Sequence, residues 1–261
     1  METSEKIELL SSDNAVDFAA IWYELADDDH FWLRWRLAVL LREIRRLGLD
    51  ISAPKVGLDI GCGHGDILRK LTSSTAWHVD GCDLNKAALA FSSTHPGRIL
   101  FYNINDCRRE LAEAYDFVVM FDVIEHIWDT RTFIGSAAYH LKPGGLAFIN
   151  VPAIQSLYSK YDEIQGHYRR YNKRVLSQHL MDGGLEVCLM RYWGMPLIPI
   201  ALARKFYVRK MTNTSEIMTA GFAPPSPLVA AFLEGLSILE RRLLPYPPFG
   251  TSLLAVARKE V

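Results

Sequence analysis

From Lys55 onward the chain alternates between short apolar blocks and stretches of helical spacing. Five blocks read as strands: "KVGLDIG", "AWHVDGCD", "RILFYNIND", "YDFVVMFDVIEH" and "GGLAFINVP". The third is expected to run to Asp106 and the fourth to Asp122. Between them "ILRKLTSS", "NKAALAFSS" and "TRTFIGSAAYHL" carry apolar residues at helical intervals, with Asn85 and either Asp129 or Thr130 as caps. Strands alternating with helices predict an α/β fold with a parallel sheet covered on both faces. An irregular stretch follows, then a helix over "NKRVLSQHLMDGG", capped by Asn172 and stopped at Gly183, and a sixth strand, "LEVCLMRYW". Residues 194–250 are proline-rich and partly helical, with "PLVAAFLEGLSILERRLL" as the clearest helix; the final strand is "TSLLAVARK". An insertion of about 60 residues is too long for a bare loop, so it is expected to fold over one end of the sheet. Upstream, residues 14 to 48 or so predict two helices, the second being "HFWLRWRLAVLLREIRRLG". Internal repeats and low-complexity tracts are absent from the sequence.

Composition narrows the picture. Of 261 residues, 49% are hydrophobic, enough for a large core. The 29 basic and 30 acidic side chains give a net charge of -1, which offers nucleic acid no basic surplus. The opening "METSEKIELLSSDN" lacks the basic start and apolar stretch of a secretory signal. The longest apolar run, "MPLIPIALA", is about half of the roughly 20 residues a membrane helix needs. Cys62, Cys82, Cys107 and Cys188 form no CxxC pair and no metal-ligand spacing, so no metal and a reducing, cytoplasmic setting are expected.

Candidate chemistry gathers at "DIGCGHGD", a strand-to-helix turn over Asp59–Asp66. In an open parallel sheet ligands bind beyond the carboxyl ends of the strands. Gly61, Gly63 and Gly65 let the backbone approach a ligand, but Asp66 stands where the dinucleotide pattern GxGxxG ends in glycine. Asp59, Asp66 and Asp122 would repel a pyrophosphate and suit a ligand carrying a cation. Asp83 is placed for a ribose diol and Asp106 for the adenine amine. An adenosine bearing a sulfonium and an ammonium meets these demands.

"LDIGCGHG", the acid in "GCDLN", "NINDC", "YDFVVMFDVIEHIWD" and "LKPGGLAFINVP" resemble, in order and spacing, the motifs of class I S-adenosylmethionine-dependent methyltransferases. The resemblance covers residues 55 to 195 or so. It implies a Rossmann-like, seven-stranded, mostly parallel sheet whose last strand is antiparallel. It implies S-adenosyl-L-methionine as cofactor and S-adenosyl-L-homocysteine as product. Gly61 and Gly63, with Cys62 between them, would lie under the methionine part, and Asp59 near its ammonium. Asp83 would hold the ribose hydroxyls and Leu84 would pack on adenine. Asp106 would bind the adenine amine beside the Cys107 backbone, and Phe121 and Asp122 would line the sulfonium side.

The acceptor side is expected in "GHYRRY", Gly166–Tyr171, which also resembles a motif of bacterial methyltransferases acting on sugars, lipids or secondary metabolites. Methyl transfer from a sulfonium is an in-line displacement, and a hydroxyl acceptor needs a base. His167 is the expected base, with a purely positioning role as the alternative; His126 is the second candidate. Arg169 and Arg170 would bind an anionic group on the acceptor, with Tyr168 and Tyr171 stacking or donating to it. The other reading of the pair is a salt bridge to Asp162 or Glu163. Trp32 and Arg36, in the N-terminal "ADDDHFWLRWR", would close over the open site, where an aromatic face favours a sulfonium by about 1 kcal/mol.

This reading divides the chain into a helical cap (1–50), a Rossmann-like core (51–193 and 251–261) and a lid insertion (194–250). In the insertion, "RKFYVRK" follows an apolar segment, which suits either lid packing or peripheral contact with an anionic membrane surface. The expected function is O-methylation of a small or lipid-linked anionic acceptor. The rivals are an N- or C-methyltransferase of the same fold, a non-catalytic partner subunit, and a nicotinamide-dependent oxidoreductase. A nucleic-acid methyltransferase is disfavoured by charge and by "FDVIEH" where an "NPPY"-type motif would stand. The sequence leaves the acceptor, the methylated atom and the oligomeric state open.

Overall fold

The computed structural model describes residues 7–12, 30–92, 94–222 and 225–261. In chain order the elements are β1 (Ile7–Leu9), α1 (Phe31–Arg46), β2 (Val56–Ile60), α2 (Asp66–Ser74), β3 (His78–Asp83), α3 (Lys86–Ala90) and β4 (Ile99–Phe101). Then come β5 (Tyr115–Phe121), α4 (Thr130–His140), β6 (Leu141–Pro152), α5 (Lys160–Ile164), α6 (Lys173–Asp182) and β7 (Leu185–Trp193). The insertion holds α7 (Ile198–Val208), α8 (Thr214–Phe222) and α9 (Pro227–Leu243), and β8 (Ser252–Lys259) closes the chain.

One sheet has the order β1-β4-β3-β2-β5-β6-β8-β7. β8 lies antiparallel between β6 and β7; the pairs from β1 to β6 are parallel. The α/β sheet with an antiparallel last strand is therefore as expected, with one strand more than the seven foreseen. The extra strand, Ile7–Leu9, sits in a stretch that reads as merely polar, and it pairs with Ile99–Phe101 at the sheet edge. A three-residue edge strand is too short to announce itself by alternation. The first of the two helices expected over residues 14 to 48 lies outside the described residues.

Alternation along β5 builds the core. Val118 and Met120 face one side, packed with Ile134 of α4 and Leu176 of α6. Phe117, Val119 and Phe121 face the other, packed with Trp35 and Leu40 of α1 and Leu68 of α2. Strands buried on both faces read as near-continuous apolar runs, which is why this one was legible. Asn85, Asp129 and Asn172 each accept a backbone hydrogen bond at a helix start, so Asp129 rather than Thr130 caps α4.

The third strand stops earlier than expected. β4 ends at Phe101, and Asn103 accepts from the Asn105 amide to start a 3-10 turn over Ile104–Asp106. Asx side chains compete with the sheet for backbone donors, and here the turn wins.

Candidate active site at the carboxyl ends of the strands

The carboxyl ends of β2, β3 and β5 open into a cavity of about 950 Å³, roofed by α1, the 153–171 loop and the insertion. The turn after β2 has three consecutive alternate glycines with positive φ: 72° at Gly61, 53° at Gly63 and 80° at Gly65. A Cβ at Gly61 would stand 2.6 Å from Val123 Cγ2, so glycine is required there by both conformation and space. The Gly63 amide donates to Asp83 Oδ2 at 2.8 Å and the Asn85 amide to Oδ1 at 2.8 Å, which fixes that carboxylate at the cavity wall. Burial raises the Asp83 carboxyl despite these bonds. Asp59, beneath the turn, is pushed up to about 8 by burial, with Arg36 opposing and Asp66 and Asp83 adding to the rise.

Arg36 reorganises the electrostatics. Its guanidinium lies between Asp122 (Nη1 to Oδ2, 2.6 Å) and Asp66 (Nη2 to Oδ2, 3.2 Å), over the rings of Trp32 and Phe121 at 4.8 and 5.2 Å. Lys70 holds the other oxygen of Asp66 at 2.5 Å, and Asn150 Nδ2 donates to Asp122 Oδ1 at 2.9 Å. Asp122 itself has φ 58°, a left-handed turn that an aspartate tolerates better than a branched residue. Two of the acids counted in the sequence as selecting a cation are thus already paired inside the protein. Arg36, expected to close over the open site, lines the cavity between the turns that follow β2 and β5. Trp32 does line the cavity and touches Trp193 at 5.6 Å between ring centres.

Asp59, Gly61, Cys62, Gly63, Asp83 and Leu84 all line the cavity, as do Phe121 and Asp122. Asp106 and Cys107 do not. The 3-10 turn carries Asp106 toward Ser11, whose hydroxyl donates to it at 2.5 Å, and Tyr102, Asn103 and Ile104 stand at the cavity instead. Spacing carries no sign of this, since the turn that Asn103 starts leaves the motif itself intact.

"GHYRRY" also divides. His167 and Arg170 line the cavity; Tyr168, Arg169 and Tyr171 do not. Tyr168 is exposed and meets Trp128 edge-on, Arg169 donates to Thr130 Oγ1 and the Trp128 carbonyl, and the buried Tyr171 hydroxyl donates to the Ile124 carbonyl. His167 and Arg170, three positions apart, face the cavity, while Tyr168 and Arg169 between them turn toward Trp128. Arg170 Nε donates to Asp162 Oδ1 at 2.7 Å, the salt bridge foreseen as the other reading.

Asp162 anchors the part of the cavity formed by His167 and Arg170. It accepts from His167 Nδ1 at 3.1 Å as well as from Arg170. Burial would raise its carboxyl, but the bonds from His167 and Arg170 prevail and bring it to about 2. His126 meets His167 with ring centres 4.6 Å apart, and burial together with that neighbour pulls the His126 imidazole down to about 3. Glu125 is fully buried, and neither carboxylate oxygen finds a hydrogen-bond partner among the described residues. Burial pushes its carboxyl well above the usual range, the Asp122 charge adding to it. Glu125, His126 and His167 each offer a ligand atom within 4.8 Å of the others, a set able to hold a divalent cation. Sequence reasoning missed two residues here, Glu125 as a site group and Arg204. Arg204 comes from α7, lies 4.5 Å over the Tyr161 ring and lines the cavity 34 positions beyond Arg170.

The residues at the donor end fit an adenosine with a cationic aminoalkyl arm. A glycine cradle lies where the arm would run, a buried carboxyl held above its ordinary value lies where an ammonium would restore its charge, and an anchored carboxylate faces the ribose position. A parallel sheet with this turn and these carboxylates defines the class of S-adenosylmethionine-dependent methyltransferases.

Residues 32–189 match the family described as "Methyltransferase domain", and the chain belongs to that family. A Mycolicibacterium smegmatis protein named as a probable S-adenosylmethionine-dependent methyltransferase is 29% identical over 164 residues, 61% of this chain and 61% of that protein. The ubiquinone biosynthesis O-methyltransferase of Vibrio vulnificus is 33% identical over 123 residues, 42% of this chain and 52% of that one. The chain thus matches little more than half the length of these curated relatives. Haemonchus contortus phosphoethanolamine N-methyltransferase 2, solved with S-adenosyl-L-methionine, shares the fold at a TM-score of 0.56 and 19% identity, covering 95% of this chain and 61% of that one. Among the described residues no helix is long and apolar enough to cross a membrane.

Proposed function

We propose that the chain methylates an oxygen of a small or lipid-linked acceptor carrying an anionic group, with His167 as the base. One observation carries this reading: Asp162 accepts from His167 Nδ1 and so leaves Nε2 as the basic nitrogen at the cavity. When bound, S-adenosylmethionine supplies an electrophilic methyl carbon on a sulfonium. His167 takes the acceptor proton as the oxygen attacks, and Asp162, held ionised by Arg170, stabilises the imidazolium. His126, kept neutral, shapes the wall beside it. Trp32, Phe121 and the insertion exclude water from the transfer path. Arg204 attracts the anionic group of the acceptor, the role first expected of Arg169 and Arg170. The likeness to an O-methyltransferase of ubiquinone biosynthesis supports oxygen as the methylated atom.

The test is transfer of labelled methyl groups into a cell extract, with S-adenosylhomocysteine binding measured alongside by calorimetry. His167→Ala should lower transfer at least about 100-fold and leave that binding within about threefold. Unchanged transfer would remove the base and favour a nitrogen or carbon acceptor. Absence of binding heat in the wild type would remove the class.

The orphaned Glu125 favours a second reading, in which a divalent cation on Glu125, His126 and His167 holds the acceptor oxygen. Magnesium or zinc binding in calorimetry, lost in Glu125→Gln, would establish it; transfer undisturbed by chelation would exclude it.

A further inference from the structure

α9 buries one side against the fold and carries an apolar stripe on its exposed side. Its inner stripe, Leu233, Ser237 and Glu240, is buried, and Glu240 accepts from the Gly194 and Met195 amides at 2.9 and 2.7 Å, pinning the helix to the end of β7. Its outer stripe, Leu228, Phe232, Leu239 and Leu243, is 86, 63, 52 and 73% exposed. The intervals of four, seven and four place these side chains on one face. α7 adds Phe206 and Tyr207, each 65% exposed. Single exposed apolar residues are ordinary on a protein surface; an unpartnered stripe along a 17-residue helix is not.

Basic residues outnumber acidic ones on α7 and α9 and just beyond their ends. The two acids of α9 are both engaged, Glu240 as above and Glu234 with Arg34 at 2.5 Å. Arg241 and Arg242 end the helix, and Lys205, Arg209 and Lys210 end α7. Just beyond α9, the ring of Tyr246 carries three guanidinium groups, those of Arg46 and Arg191 at 4.7 Å and Arg42 at 5.7 Å. A single carboxylate, Glu43, contacts all three arginines.

The cavity opens onto the same face. Ile200 of α7 and Val229 of α9 line it and are each 47% exposed, so they form its mouth. Inside the mouth Leu197, Ala201, Met218 and Leu233 make an apolar passage leading to Arg204 and His167.

We propose that the outer face of α7 and α9 docks on an anionic lipid bilayer, and that the acceptor enters from it, anionic head toward Arg204 and apolar tail along the passage. The docking stands apart from the methyl-transfer reading; only the word acceptor rests on it. An apolar stripe bordered by arginine and lysine, without free carboxylates among them, matches the headgroup boundary of an anionic leaflet.

The test uses the full chain with vesicles of phosphatidylcholine alone and of phosphatidylcholine mixed with phosphatidylglycerol. Co-sedimentation should be at least about fivefold greater with phosphatidylglycerol and should fall as salt rises. Leu228→Ser with Phe232→Ser should remove most of it. Both residues are solvent-facing, so the helical circular dichroism and the affinity for S-adenosylhomocysteine should stay unchanged. Dodecyl phosphate should bind at least about tenfold more tightly than methyl phosphate, and Val229→Trp, at the mouth, should erase the difference. Failure to sediment with either vesicle, or a concentration-dependent dimer dissolved by the same two serines, would overturn the docking. Equal binding of the two phosphates would overturn the tail passage. Vesicle binding without any uptake of S-adenosylhomocysteine would leave the docking standing and sink the methyltransferase reading instead.

Discussion

Asp59 shows how far a residue's environment departs from its type. It sits buried beneath the glycine turn with its carboxyl pushed up to about 8, so the protonated form prevails near pH 7. An ammonium placed beside it favours the ionised form. Binding of S-adenosylmethionine at pH 7 should therefore release close to one proton, and Asp59→Asn should release none. Calorimetry in buffers of different ionisation enthalpy measures this, and zero release by the wild type would contradict it. The position of Asp59 was legible, because strand, acid and glycines occur in a fixed order. Its protonation was not, because it arises from burial, with Asp66 and Asp83 adding to it and Arg36, 23 positions upstream, opposing it. His167 illustrates the same division: its type suggested a base, but only the contact with Asp162, five residues before it, distinguishes its two ring nitrogens.

At the scale of elements, α1 acts as a clamp. Its apolar side, Trp35, Leu40 and Ile44, packs on the sheet, while Arg36 reaches between the turn after β2 and the turn after β5. Replacing one partner of a buried ion pair leaves the other charge stranded. Arg36→Met should destabilise the fold by about 3 kcal/mol in chemical denaturation, with Asp66 and Asp122 left facing each other. A loss below about 1 kcal/mol would mean that α1 is held by its apolar side alone. The helix itself was readable from spacing, basic residues near its end and Gly48. Which of its arginines enters the site depends on the angle at which the helix crosses the sheet, and periodicity carries no information about that angle. The 3-10 turn after β4 and the short strand β1 escaped for a related reason, since elements of three residues have too few positions to show a period.

For the whole molecule, two measurements follow. The carboxyl of Asp162 falls from its ordinary 3.8 to about 2 in the folded chain. A depressed carboxyl stabilises the fold fully above the unfolded value and loses that contribution as pH falls through the folded one. Stability should thus decline between about pH 4 and pH 2, and Asp162→Asn should flatten that decline in acid-unfolding curves, from a lower plateau. If the variant keeps the full acid slope, other carboxylates carry it. The second concerns the donor. A ligand present at 100 times its dissociation constant and bound only by the native state adds about 2.7 kcal/mol. For a chain of this size that amounts to a rise of about 5–10 °C in Tm with S-adenosylhomocysteine. NADH, which brings no ammonium to offset the buried carboxyls of Asp59 and Asp83, should produce none.

What the sequence determined by itself is the order of strands and helices, the glycine turn and the acids at its borders, because these depend on local periodicity and on backbone conformations that few residues tolerate. Only the tertiary structure decided which charges are spent on one another, which half of "GHYRRY" faces the cavity, and that α9 turns an apolar stripe outward. Ion pairs, hydrogen bonds and exposure are relations between segments far apart in the chain, such as the pair of Arg36 with Asp122 or the bond from the Gly194 amide to Glu240, and burial fixes them only once the segments have packed.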